Sequence, residues 1–99
     1  MTAEVRKQVY ISGRVQGVGF RASVRSKARQ LGVKGWVKNL ADGRVEGVLT
    51  GNKKNVVQLI KYIKKGPRLA LVHDVEIKDE EYHDEFNSFY INFSVLLCF

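Results

Sequence analysis

Cysteine occurs once in the 99 residues, as Cys98, so no disulfide can form within the chain and nothing calls for an oxidising compartment. Proline also occurs once, as Pro67 directly after Gly66, where the pair is suited to stop a helix. Long apolar runs are missing. The longest, Val95 to Phe99, falls far short of the ~18 residues that suggest a membrane span, and no basic-then-apolar leader opens the chain. Repeats, linkers and low-complexity stretches are absent as well. These absences predict a soluble, cytoplasmic single domain over residues 1–99, with its core at about 5–93, an apolar tail at 94–99 and no membrane partner. His73 and His83 stand apart, with no Cys or Asp at ligand spacing, so no metal site is expected.

Acidic residues are scarce where basic ones are dense. Residues 1–70 hold sixteen Lys or Arg against three Asp or Glu, a net +13. Residues 71–99 hold one against seven, a net −6, which brings the whole chain to +7. A field of that sign favours anionic ligands, whether nucleic acid or small phosphates, and narrows the ligand no further.

The apolar pattern changes period along the chain. Val5, Val9 and Ile11 alternate with polar neighbours and predict a first strand. Phe20, Val24, Ala28 and Leu31 then fall three or four apart, the stripe of an amphipathic helix, and Gly32 is placed to end it. GWVKN and RVEGVLTG, joined across an Asp-Gly turn signal, predict a hairpin. Asn52 is placed to cap a second helix with the stripe Val56, Leu59, Ile60 and Ile63. A fourth strand around Val75 and Ile77 leads through the acidic turn DEEYHDE to a last one at residues 88–93. The order is β-α-β-β-α-β, with an additional short strand open near the C-terminus. Two helices with one apolar stripe each can both bury it on one face of an antiparallel sheet. The expected class is α+β, a ferredoxin-like α/β sandwich built on a split β-α-β, which hosts many functions and specifies none.

Chemistry concentrates in residues 13–21, GRVQGVGFR, between the first strand and the first helix. Glycines there let successive backbone N–H groups turn into one concavity, and the helix adds its unpaired amides and positive pole. Arg21 contributes a permanent charge in a planar fork suited to two phosphate oxygens. Tight packing alone also explains Gly13, Gly17 and Gly19, and the sequence leaves the two explanations open. The register fits neither G-x-G-x-x-G nor G-x-x-x-x-G-K-[ST]. QGVGFRAS echoes an RNA-recognition signature, but Gln16 and Val18 replace its basic and stacking residues and the stretch follows the wrong strand.

GRVQGVGFR, then LGVKGWVKNLADGRVEG, then the GP closing the second helix together resemble the acylphosphatase family, from about Val9 to Phe93. The resemblance implies the same ferredoxin-like sandwich and hydrolysis of the carboxyl–phosphate anhydride of small acyl phosphates, with no metal and no cofactor. It implies that Val15, Gln16, Gly17, Val18, Gly19 and Phe20 form the substrate cradle. Arg21 is then the residue that binds the phosphate, and Asn39 the one that positions the attacking water. Inorganic phosphate follows as product and competitive inhibitor, acting on a monomer with no specific nucleic-acid partner. Two positions depart from the pattern: where some members carry hydroxyl residues, this chain has Leu40 and Arg44. The tail SVLLCF extends past the usual end of the fold.

Those residue types agree with that substrate. Arg21 cannot act as a base, and Asn39 does not ionise but can accept one hydrogen bond and donate others. Positioning and charge stabilisation without an acid or base suit a good leaving group, and an acyl phosphate expels a carboxylate. Local sequence also allows Asn39 to be a turn residue before Asp-Gly. Three functions remain open at this stage: an acyl phosphate hydrolase, a small nucleic-acid-binding module, and a phosphate-sensing domain without turnover. The presence of both Arg21 and Asn39 favours the first.

Overall fold

The computed structural model describes residues 3–93, so the tail 94–99 and Cys98 lie outside the described residues. The elements are β1 (Glu4–Arg14), α1 (Phe20–Leu31), β2 (Lys34–Asn39), β3 (Val45–Asn52), α2 (Lys53–Lys65), β4 (Leu71–Glu80) and β5 (Phe89–Ile91). They form one five-stranded sheet in the order β4-β1-β3-β2-β5. β1 runs antiparallel to both β3 and β4, and β2 runs antiparallel to β3. β5 pairs parallel to β2, through Gly35 with Phe89 and Val37 with Ile91. The sheet is therefore mixed, which corrects the wholly antiparallel expectation. Residues 81–88 carry the chain from the β4 edge to the β2 edge, and β5 then starts from the end at which β2 starts.

The helix caps follow their residue types. Gly32 adopts φ 73°, and the amides of Gly32 and Val33 fold back on Arg29 O and Ala28 O at 3.3 and 2.9 Å. Asn52 accepts from the Lys54 amide through Oδ1 at 2.9 Å, which satisfies one of the free donors at the start of α2. The α2 end is closed by Gly66, whose amide donates to Tyr62 O at 2.7 Å.

α1 and α2 pack against each other on one face of the sheet. Val9 and Ile11 of β1, Val37 of β2, Val45 and Leu49 of β3, and Phe89 of β5 meet Val24, Ala28, Val56, Leu59 and Ile63 in one buried cluster. Each such aliphatic or aromatic side chain contributes about 1.5–3 kcal/mol relative to exposure, which outweighs any single surface pair.

The opposite face, carrying Gln8, Tyr10, Trp36 and Glu46, is polar and aromatic. Gln8 Nε2 donates to Glu46 Oε2 at 2.8 Å. Lys38 and Arg44 lie 5.3 and 4.9 Å from the Trp36 and Tyr10 rings. The acidic segment is tied down rather than free. Arg6 pairs with Glu80 at 2.7 Å and with Glu85, and its guanidinium lies 5.7 Å from the Phe86 ring.

Candidate active site

The candidate site lies at the end of the sheet where β1 passes into α1 and β2 turns into β3. β1 shifts register between Ser12 and Gly13 against β4. A Cβ at Gly13 would stand 2.1 Å from Leu71 O, so this glycine is required by close strand packing. Gly17 and Gly19 differ. Their φ angles are 74° and 76°, and a Cβ on either would meet nothing within 4 Å, so only the left-handed backbone requires glycine there. The two explanations left open by the sequence thus divide between the three positions.

Val15 and Phe20 are both buried in the core and anchor the two ends of this loop, and Val18 packs against the same cluster. These residues can meet a ligand only through their backbone or at an edge. The first hydrogen bond of α1 runs from the Ser23 amide to Gly19 O at 3.0 Å, and Gly19 offers no side-chain cap. The amides of the preceding first turn therefore have no intrahelical acceptor, and that turn carries no acidic residue. Arg21 stands in it.

Asn39 ends β2 opposite Val45. Beyond it the hairpin closes through Leu40 N–H to Arg44 O at 2.8 Å and Gly43 N–H to Leu40 O at 3.2 Å. Asp42 accepts from the Arg44 amide at 3.0 Å and from Arg44 Nε at 2.9 Å. Those bonds, the backbone one foremost, hold the Asp42 carboxyl below its ordinary range. Gln16 joins loop to hairpin: its Nε2 donates to Leu40 O at 2.8 Å and to Arg44 O at 2.9 Å. The Gln16 amide is thus spent on the protein and fixes the hairpin against the glycine loop.

Gln16, Arg21, Asn39, Leu40, Ala41, Asn92 and Phe93 line one cleft of about 350 Å³. Arg21 lies 5.3 Å from the centre of the Phe93 ring. The ion pairs among the described residues engage Arg6, Lys7, Lys38, Arg44 and Lys78, which leaves Arg21 without a carboxylate partner there. The Oδ1 of Asn39 is buried and has no hydrogen-bond partner in the protein. An acceptor left so costs about 1–3 kcal/mol unless a water or a ligand supplies the donor.

Of the residues predicted from sequence, Gln16, Arg21 and Asn39 meet in this cleft, while Val15, Gly17, Val18, Gly19 and Phe20 do not line it. Ala41, Asn92 and Phe93 were not foreseen, and Leu40 stood out in the sequence only as a departure from the family pattern. Asn92 and Phe93 arrive because the Asn92 amide donates to Val37 O at 2.9 Å, extending the β5–β2 pairing, and no local pattern encodes that register. His73 and His83 take no part in the cleft. No three His, Cys, Asp or Glu side chains cluster to hold a metal ion among the described residues, and none of the helices there is long and apolar enough to cross a membrane.

The acylphosphatase family model matches residues 7–91. The chain belongs to the acylphosphatase family. It is 50% identical over 88 residues to an acylphosphatase of Pyrobaculum calidifontis, a match spanning 88% of this chain and 80% of that one. Among solved structures, an acylphosphatase from Coxiella burnetii superposes with a TM-score of 0.84 and 39% identity, covering 90% of this chain and 93% of that one. The acylphosphatase from Bacillus subtilis gives a TM-score of 0.86 with 31% identity over 90% of this chain and 99% of its own. The ferredoxin-like α+β fold is common to them.

Proposed function

We propose that this enzyme hydrolyses the carboxyl–phosphate anhydride of acyl phosphates to a carboxylate and inorganic phosphate, with no metal or cofactor. Membership of the family supplies the reaction class. The observation that carries the residue assignment is the buried, unpartnered Asn39 Oδ1 in the same cleft as the unpaired Arg21.

In this reading the phosphate sits at the positive pole of α1, held by first-turn amides and by the Arg21 guanidinium. Asn39 Oδ1 accepts a hydrogen bond from a water and aims its oxygen at phosphorus. A new P–O bond forms as the bridging P–O bond breaks, and the carboxylate leaves with the bonding pair. The proton shed by the water ends on the phosphate product. The transition state is loose and its charge is spread over the equatorial oxygens, so fixed positive groups and orientation do most of the work. No general acid is required, because the leaving carboxylate is already a weak base. No general base is required either, because a loose transition state has formed little bond to the water. The residues assigned here all belong to one chain, so the reaction as proposed needs no second copy.

The test is the loss of acetyl phosphate with purified protein, with and without excess chelator and with added inorganic phosphate. Turnover that survives the chelator and is inhibited competitively by phosphate is expected. Activity lost in chelator and restored by a divalent ion overturns the metal-free mechanism. Noncompetitive inhibition puts the anion site elsewhere.

A further inference from the structure

The two departures in the hairpin have separate fates. Arg44 is committed to the protein: its Nε and backbone amide engage Asp42, and its guanidinium lies 4.9 Å from the Tyr10 ring on the far face of the sheet. It does not line the cleft, whereas Leu40 does, next to Ala41. From beyond β5 comes Phe93, a large apolar side chain that is 68% exposed. Its ring lies 5.3 Å from the Arg21 guanidinium. Among the described residues Arg21 is the one cation in the lining, so a phosphate held there takes up the cationic charge that they present to the cleft.

On the strength of the hydrolase reading above, we infer that Leu40, Ala41 and Phe93 form the acyl-binding wall and select acyl phosphates whose acyl group is apolar and uncharged. The cleft, about 350 Å³, lies at the lower end of the ~300–1,000 Å³ typical of small-molecule sites and has room for an acyl group beside the phosphate. An apolar acyl group covers Leu40 and the open Phe93 ring, removing apolar surface from water on both partners. A second carboxylate or phosphate on the acyl group gains no such contact and finds no cation in the lining to pair with. The overall charge of +7 draws all these anions toward the protein, so the discrimination belongs to the wall and not to the field.

The experiment compares kcat/KM for acetyl, butyryl and benzoyl phosphate and for an acyl phosphate bearing a terminal carboxylate. The parent enzyme, Leu40→Ser and Phe93→Ala are all measured. The two aliphatic substrates expel carboxylates of nearly equal basicity, so their ratio reports binding of the chain. The expected order is benzoyl and butyryl above acetyl, with the carboxylate-bearing substrate last. The butyryl-to-acetyl ratio is expected to be about tenfold, the low end for apolar discrimination, because the Phe93 ring stays largely exposed. In either variant that ratio should collapse toward one. Loss of the Phe93 ring also frees Arg21 and slows every substrate alike, which the ratio cancels. Phe93→Leu should retain the butyryl preference. A flat series in the parent enzyme, or ratios unchanged in both variants, overturns the wall while leaving the hydrolase intact. No turnover of any acyl phosphate overturns both.

Discussion

Asn39 invites a direct experiment because its two readings differ in what the side chain is bonded to. A hairpin residue would use its amide to close the turn, yet the turn is closed by Leu40, Gly43 and Asp42, and Asn39 Oδ1 has no partner in the protein. In Asn39→Ala, kcat should fall on the order of 10²–10³-fold, the usual loss when one preorganised polar group is removed. KM, phosphate inhibition and thermal midpoint should stay close to the parent values, since a transition-state contact and an unsatisfied acceptor are all that is deleted. Near-normal kcat with a lowered midpoint would return Asn39 to the hairpin and require another holder for the water. Arg21→Lys is the companion variant. A lysine keeps the charge and loses the planar fork, so both phosphate affinity and kcat should drop severely. Activity close to the parent would reduce Arg21 to a surface charge.

Between elements, the contact that matters is the one from Gln16 to the hairpin. Both carbonyls it binds also accept hairpin amides, so Gln16→Ala orphans neither of them and removes two bonds worth about 0.5–1.5 kcal/mol each. The midpoint should fall by several degrees. Measured well below that midpoint, kcat should still fall on the order of 10²-fold, because the strand end bearing Asn39 is no longer pinned to the loop proposed to hold the phosphate. Full activity in the folded fraction would make Gln16 a stability residue alone. The same hairpin has an acid limit. The folded pKa of Asp42 is lowered, chiefly by the Arg44 amide. Its contribution to stability is therefore complete above the ordinary carboxylate pKa and is lost as pH falls through the lowered folded value. Asp42→Asn should show a shallower decline of midpoint in the acid range than the parent, and parallel curves would mean that the charge contributes nothing.

Across the whole molecule, the charges are sorted by layer. The helices contain no acidic residue, and the ion pairs among the described residues all engage cations of the sheet and its hairpin. Lys53, Lys54, Lys61, Lys64 and Lys65 of α2 have no carboxylate partner there, and α2 buries its apolar stripe of Val56, Leu59, Ile60 and Ile63. Such a layer should attract nucleic acid weakly and without sequence preference, through counterion release alone. The expected result in fluorescence anisotropy is binding at low salt that falls steeply with log salt and weakens in Lys53→Gln/Lys54→Gln. A sequence-selective RNA complex that survives physiological salt would restore the nucleic-acid module as the main function.

Local order was written plainly in the chain. The 3.6-residue stripes of Val24–Ala28 and Val56–Ile63, the period-two runs of β1 and β3, the caps at Gly32 and Asn52 and the Asp-Gly turn each depend on neighbours within a few residues. The loop motif and Arg21 were readable for the same reason: a strand, three glycines and a helix start are contiguous. Pairing and partners were not. Whether residues 88–93 ran antiparallel or parallel depended on which edge the acidic segment reached, and Arg6 with Glu85 and Phe86 draws it across the face. Only that crossing lays β5 beside β2 and brings Asn92 and Phe93 to the cleft. Gln16 reads as one more loop residue until it lies beside carbonyls 24 and 28 positions away. The sequence by itself determined the elements and the charged and apolar groups available to the site, because periodicity, caps and residue chemistry are local. The tertiary structure decided which of those groups share a cleft and which are spent on the protein, because hydrogen-bond partners and strand register are settled only when distant segments pack.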